Sequence, residues 1–177
     1  MENVAAIIPA YNEEKYIGGV LSALQTAHYV SKIIVVNDGS TDKTGQVARS
    51  YGVTVIDLPR NQGKSLAMRQ GLLHTTAPII LFLDADLIGL TAEQVYSLLL
   101  PVIQNSADMT LGVFCSGRTI TDIAQKLTPF LTGQRAVKRW ILEALSEEDW
   151  MSGFGIELSL TKLAQDLNIN VLEVPLQ

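Results

Sequence analysis

Residues 79–86 read Ile79-Ile80-Leu81-Phe82-Leu83-Asp84-Ala85-Asp86, an unbroken apolar run that ends in two aspartates. An apolar run without alternation is typical of a strand with two buried faces. Asp84 and Asp86 are predicted to point the same way at its end. Neighbouring carboxylates repel each other unless a positive charge lies between them. The motif therefore indicates a site for a hard divalent cation, Mg²⁺ or Mn²⁺, that bridges carboxylate and phosphate oxygens. The alternative is a solvated turn in which one aspartate caps the next helix.

Similar apolar runs lie on either side of this stretch, and helical periods separate them. Strands are predicted over residues 4–8, 33–36, 53–58, 79–83 and 109–114. Ile17, Val20 and Leu24 fall on one face of a helix, and Thr91 with Gln94 forms a capping box for another. Repeated alternation of strand and helix predicts an α/β fold with a mostly parallel sheet flanked by helices on both faces.

The pattern changes after residue 114. A helix is predicted from about residue 134 with Trp140 in the core, followed by a helix over 156–167 and a last strand over 169–174. The whole chain, 1–177, is interpreted as a single domain. Basic residues are concentrated between 118 and 139. This basic segment is typical either of a solvated helix face or of a site where Arg118 and Arg135 bind an anionic acceptor.

Composition excludes several classes of protein. The chain has 177 residues, of which 47% are apolar and 18% charged, as in one globular domain and unlike a disordered chain. The net charge of -5 argues against nucleic acid as the main partner. The single cysteine, Cys115, excludes an intrachain disulfide and fits a cytoplasmic protein. No apolar stretch is long enough to span a bilayer, so any membrane contact is predicted to be peripheral.

Polar segments follow the other predicted strands as well. They are residues 9–13, 37–40 and 60–64. Ligands of open parallel sheets bind beyond the carboxyl ends of the strands. The sequence therefore predicts that these segments meet Asp84 and Asp86 at one edge of the sheet.

Two common phosphate-binding motifs are missing from this edge. Gly63-Lys64-Ser65 is not the end of a P-loop, because Leu58 stands where that motif requires glycine. No Gly-x-Gly-x-x-Gly follows the first strand, which argues against a dinucleotide fold. Lys64 is still placed to reach a phosphate from a helix N-terminus, the alternative being a solvated lysine.

Four segments together resemble family 2 glycosyltransferases, in the order and spacing of that family. They are Ile7-Ile8-Pro9-Ala10-Tyr11-Asn12-Glu13-Glu14, Val36-Asn37-Asp38-Gly39-Ser40-Thr41-Asp42, Asn61-Gln62-Gly63-Lys64 and the DXD motif Asp84-Ala85-Asp86. The resemblance covers residues 4–100. It implies a nucleotide-sugar-binding fold of the GT-A type, with residues 1–110 as the nucleotide-sugar half and 111–177 as the acceptor half.

The resemblance also implies roles for individual residues. Asp38 would accept a hydrogen bond from the base, Lys64 would lie near the pyrophosphate, and Asp84 would meet the ribose or the metal. Asp86 would bind the metal. The pocket for base and ribose would be lined by Pro9, Ala10, Tyr11 and Glu13.

The second half resembles two kinds of enzyme. Residues 131–139 and 153–157 resemble glucosyl-3-phosphoglycerate synthases, whereas residues 171–176 resemble polyprenyl-phosphate sugar synthases. The acceptor would be an anionic small molecule or a lipid phosphate, bound by Arg118, Gly133, Gln134 and Arg135. The first group has a metal-binding histidine beyond the position where this sequence ends. No histidine follows His74 here, so this ligand is expected to be absent or supplied otherwise.

The implied reaction transfers a sugar, with a UDP-sugar favoured as the donor. A hydroxyl acceptor would need a general base, for which Asp149 is the candidate, with Glu148 and Glu157 behind it. The alternative for residues 147–149 is a solvated acidic turn. Two other functions stay open: a sugar-phosphate nucleotidyltransferase, and a catalytically silent nucleotide-sugar-binding or scaffold domain. A homodimer is compatible with the sequence.

Overall fold

The computed structural model describes residues 3–114, 132–151 and 155–176, and seven strands of these residues form one sheet. The strands are β1 (Val4–Ala10), β2 (Lys32–Asn37), β3 (Thr54–Asp57), β4 (Ile79–Phe82), β5 (Met109–Phe114), β6 (Arg135–Lys138) and β7 (Val171–Leu176). Their order in the sheet is β3-β2-β1-β4-β6-β5-β7. Only β6 runs antiparallel to its neighbours, β4 and β5. The predicted mostly parallel α/β architecture is confirmed.

Helices cover both faces of the sheet. They are α1 (Ile17–Thr26), α2 (Thr44–Ser50), α3 (Lys64–Leu72), α4 (Ala92–Ile103), α5 (Arg139–Glu143), α6 (Glu147–Met151) and α7 (Ile156–Asp166). The alternating side chains of β1 divide between two apolar layers: Ile8 packs in the layer that contains α1 and α4, and Ile7 packs with α3, α5 and α7. At the start of α4, Thr91 and Gln94 form the predicted capping box.

Strand β6 corrects the sequence prediction of a helix from about residue 134. Ala136 and Val137 are both buried, but on opposite faces of the sheet, as the two-residue period of a strand requires. The helix begins only at Arg139. Trp140, predicted in the core, is 47% exposed, whereas Ile141 beside it is fully buried.

The parallel strands bring their loops to one edge. Strands β1, β2 and β4 run side by side in the same direction, so the residues that follow them are neighbours. Asp38 follows β2, Asp84 follows β4, and Lys64 begins α3. No helix in the described part of the chain is long and apolar enough to cross a membrane. Arg118 and Cys115 lie outside the described residues.

Candidate functional site

A pocket of about 270 Å³ opens at the carboxyl edge of β1, β2 and β4. Eleven residues line it: Pro9, Ala10, Tyr11, Glu13, Asp38, Asn61, Gly63, Lys64, Asp84, Ala85 and Asp86. Every residue predicted for nucleotide or metal binding therefore lines the same pocket, although these residues come from four separate segments of the sequence. Asn61, Gly63 and Ala85 complete its wall; the sequence motifs contained them without assigning them a role.

Asp38 fixes one wall of the pocket. Its side chain is buried, and its two oxygens accept hydrogen bonds from the backbone N–H groups of Gln62 (2.8 Å) and Gly63 (2.9 Å). Gly39 allows the two loops to touch, because a β-carbon on it would lie 2.5 Å from the backbone nitrogen of Asn61. Asp38 thus holds the turn that precedes Lys64, a structural task that the sequence did not reveal.

Lys64 lies between two carboxylates. Its Nζ is 2.6 Å from Oδ1 of Asp84 and 2.9 Å from Oε1 of Glu157. Burial alone would lower the pKa of the Lys64 ammonium, but the negative charges of Asp84 and Glu157 outweigh burial and hold that pKa above its ordinary value. The sequence predicts Glu157 as a second candidate for the general base and as part of the segment 153–157 that resembles glucosyl-3-phosphoglycerate synthases. Its contact with Lys64 spans 93 positions and has no local sequence signal.

Residues 133–135 form the wall behind Asp84. Gln134 is buried, and its Nε2 donates to Oδ2 of Asp84 at 2.7 Å. The Arg135 guanidinium is only 1% exposed and donates to the carbonyl oxygen of Thr132 at 2.6 Å. Burial lowers the pKa of Arg135 to about 10, against the opposing effect of Glu157 and Asp84. Both side chains have partners within the protein, and acceptor binding by Gln134 and Arg135 stays a prediction.

Gly133 belongs to the same wall. A β-carbon at this position would lie 2.5 Å from both Oδ1 of Asp84 and Nζ of Lys64. Because Gly133 has no side chain, the space that this ion pair occupies stays free. The structure places Gly133 against the pocket residues, which does not test its predicted contact with an acceptor.

The negative charges of the pocket fit a divalent cation. Burial raises the pKa of Glu13 above its ordinary value, and the charges of Asp86, Asp42 and Asp84 raise it further. Among the described residues, no group of three or more His, Cys, Asp or Glu side chains could hold a metal ion. Mg²⁺ is commonly bound by one or two carboxylates together with substrate phosphates and water. Asp84 and Asp86 suit that mode of binding.

Asp149 does not line the pocket. Its Oδ2 accepts hydrogen bonds from the backbone N–H (2.8 Å) and the hydroxyl (2.7 Å) of Ser146, at the start of α6. The hydrogen bonds from Ser146 lower the pKa of Asp149, which makes the carboxylate a weaker base. Glu147 and Glu148 are exposed, which agrees with the alternative of a solvated acidic segment, although these residues begin a helix and not a turn. The general-base role of Asp149 stays a prediction.

Comparison with known families and proteins agrees with the motifs. The family model described as glycosyl transferase family 2 matches residues 5–147. A 4,4'-diaponeurosporenoate glycosyltransferase of Staphylococcus aureus (strain bovine RF122 / ET3-1) is 43% identical over 103 residues, covering 55% of this chain and 28% of the relative. The protein of that name from strain USA300 is 45% identical over 98 residues, covering 52% and 26%. The chain thus spans little more than a quarter of the length of these relatives.

Solved structures match over nearly the whole chain. Glucosyl-3-phosphoglycerate synthase from Mycobacterium tuberculosis, in complex with phosphoglyceric acid, superposes with a TM-score of 0.83 at 25% identity, covering 99% of this chain and 70% of that one. The same enzyme with Mn²⁺, UDP-glucose and phosphoglyceric acid gives a TM-score of 0.82 at 25% identity, covering 98% and 69%. The predicted GT-A fold is confirmed.

Proposed function

The chain belongs to glycosyl transferase family 2, and on that basis we propose that it transfers a sugar from a UDP-sugar to an anionic acceptor. One observation carries the proposal. Four motifs that are far apart in the sequence place all their predicted nucleotide and metal residues on a single pocket. A solved relative that binds UDP-glucose and Mn²⁺ supports the choice of donor.

Each part of the pocket has a task in the proposed reaction. Pro9, Ala10, Tyr11 and Glu13 face the nucleoside, and Asp38 keeps the turn before Lys64 in place. The Lys64 ammonium stabilises the negative charge that grows on the diphosphate as the bond to the sugar breaks. Asp84 and Asp86 hold a divalent cation, whose chemical contribution is to neutralise diphosphate charge. The nucleotide-sugar half, residues 1–110, would bind the donor, and the acceptor half, residues 111–177, would complete the site.

An anionic acceptor agrees with the names of the relatives. Phosphoglyceric acid and diaponeurosporenoate both carry a carboxylate. In the transfer, an acceptor oxygen forms the bond to the anomeric carbon while the bond from that carbon to the diphosphate oxygen breaks. UDP leaves with the electron pair. An acceptor that reacts through a carboxylate or phosphate oxygen needs no general base, which is consistent with the position of Asp149 away from the pocket.

The first experiment is thermal unfolding with UDP, GDP, UDP-glucose and GDP-mannose, each with Mn²⁺ and with EDTA. A ligand at about 100 times its dissociation constant adds about 2.7 kcal/mol to the free energy of unfolding. We expect the uridine nucleotides to raise the melting temperature with Mn²⁺ and the shift to disappear in Asp86→Asn. Asp166→Asn, which removes one exposed carboxylate at the end of α7, is the matched control and should keep the shift.

Release of UDP from UDP-glucose then distinguishes the remaining alternatives. Release that depends on Asp86 supports a transferase. Binding without release would favour a nucleotide-sugar-binding or scaffold domain. No shift with any of the four nucleotides would contradict the proposed donor site.

A further inference from the structure

The two carboxylates that hold Lys64 differ in position. Asp84 lines the pocket, and its side chain is 29% exposed. Glu157 does not line the pocket, and its side chain is 12% exposed. Lys64 itself lines the pocket. The ammonium is therefore held by one carboxylate at the pocket wall and by another behind it.

Glu157 is fixed in place by its own surroundings. The neighbouring backbone N–H of Ile156 donates to Oγ of Ser65 at 3.1 Å, which ties the start of α7 to the start of α3. Gly155 has a φ of 85°, and a β-carbon on it would lie 2.7 Å from Oε2 of Glu157. A side chain at position 155 would thus displace the carboxylate. The hydrogen bond from Ile156 to Ser65 therefore keeps Glu157 beside Lys64, and Gly155 leaves room for its carboxylate.

We propose that Glu157 is a positioning residue that keeps the Lys64 ammonium available to the diphosphate. The inference rests on the proposed function, in which the donor and its cation use Asp84. If Glu157 were neutral, Asp84 would be the one remaining carboxylate in an ion pair with Lys64 among the described residues. With one of its two anchors lost, the ammonium would no longer be held in a fixed position at the pocket wall, where the diphosphate would bind. It would also pair with Asp84 alone and compete with the cation for that carboxylate.

The direction in which UDP affinity changes when Glu157 is removed distinguishes a positioning role from a purely electrostatic one. Removing a negative charge near a diphosphate should by itself strengthen the binding of UDP. If Glu157 positions Lys64, its removal should weaken the binding instead. The test is the dissociation constant of UDP in EDTA, measured by calorimetry for Glu157→Gln, Lys64→Met and the double variant.

We expect Glu157→Gln to weaken UDP binding about tenfold when Lys64 is present and less than about threefold in the Lys64→Met background, because residues that act through each other are not additive. With Mn²⁺, the ion concentration for half-maximal release of UDP should rise about tenfold in Glu157→Gln. Glu147→Gln is the matched control. Glu147 forms an exposed ion pair with Arg69, and its substitution should leave both quantities unchanged.

A binding stoichiometry of one UDP per chain shows that a variant is folded. Should Glu157→Gln fail to fold, Ser65→Ala keeps the carboxylate and loosens α7, and it should weaken UDP binding in the same direction. Tighter or unchanged UDP binding, or an equal loss in both backgrounds, would overturn the positioning role. If the unaltered chain binds and releases UDP while Glu157→Gln does so equally well, only this inference fails. If the unaltered chain does neither, the proposed function fails and the inference with it.

Discussion

Gly133 lies so close to Asp84 that a β-carbon on the glycine would be 2.5 Å from Oδ1 of the aspartate. We expect Gly133→Ala to displace the Asp84–Lys64 ion pair and to weaken UDP binding about tenfold, equivalent to about 1.4 kcal/mol. Calorimetry with UDP measures the change. Gly19→Ala is the control, because a β-carbon on Gly19 meets open space and should leave UDP binding unaltered. Normal UDP binding by Gly133→Ala would mean that nucleotide binding does not depend on this ion pair.

Asp38→Asn should destabilise the protein. The carboxylate accepts two backbone hydrogen bonds, from Gln62 and Gly63, and an amide can accept only one while turning its NH₂ toward the other N–H. We expect a loss of about 2–4 kcal/mol in the free energy of unfolding, since hydrogen bonds to charged groups contribute about 1.5–3 kcal/mol each. Urea unfolding measures it. Asp57→Asn, at the more exposed pair with Arg49, should cost no more than about 1 kcal/mol. Equal losses in the two variants would refute the special role of Asp38.

Glu13→Gln should stabilise the protein at pH 7 when no nucleotide or metal is bound. Burial and the charges of Asp86, Asp42 and Asp84 raise the pKa of Glu13, so its ionised form is unfavourable in the folded state. The resulting loss in the free energy of unfolding is fully present above the pKa of Glu13 in the folded protein. It disappears below the ordinary glutamate pKa of about 4.3. Urea unfolding at pH 7 should show a gain of up to about 1 kcal/mol, and the gain should vanish near pH 4. A gain that is independent of pH would have another origin.

Asp108→Asn should lower stability at neutral pH and much less in acid. Asp108 accepts a hydrogen bond from Lys138 Nζ at 2.8 Å and another from the backbone N–H of Asn170, and the bond from Lys138 is the main cause of its lowered pKa. A lowered carboxyl pKa stabilises the folded state above the ordinary aspartate pKa of about 3.9, and this stability is lost as pH falls through the folded pKa. Urea unfolding at pH 7 should show a deficit of about 1–3 kcal/mol.

The comparison at low pH decides that prediction. At pH 3 the deficit of Asp108→Asn should shrink, because the unaltered carboxyl is then partly protonated. Lys138→Met should show a similar pH dependence, and the double variant should be less unstable than the sum of the two single variants. A deficit of the same size at pH 7 and pH 3 would show that the lost stability is not electrostatic.

The first part of the fold could be predicted from the sequence because each element had its own signal. The buried strands are continuous apolar runs, and α4 begins with a capping box formed by Thr91 and Gln94, which can be recognised in the sequence. Strand β6 could not be predicted in this way. Only four residues form it, and Ala136, Val137 and Ile141 also fit the spacing of a helix that continues into α5. Its strand conformation comes from pairing with β4 and β5, which is a tertiary interaction.

The candidate site divides in the same way. Residues on the pocket were predicted because polar segments follow strands that end at the same edge. The supporting residues were not, since their roles depend on partners that are remote in sequence. Arg135 is the clearest case: a charged residue in a basic segment suggests exposure, yet its guanidinium is buried and donates to the carbonyl of Thr132. Nothing local in the sequence distinguishes such an arginine from one that binds a ligand.

The position of β6 between β4 and β5 has a consequence for synthesis on the ribosome. Strands β4 and β5 emerge first, but they are joined in the sheet only through β6, which is made later. At about 5–20 residues per second, the nascent chain waits roughly 1–5 s for that strand. During this interval the facing edges of β4 and β5 have unpaired backbone groups that can attract other chains. Residues 109–114 thus have one unpaired edge until β6 has emerged, and their opposite edge stays unpaired until β7 has emerged.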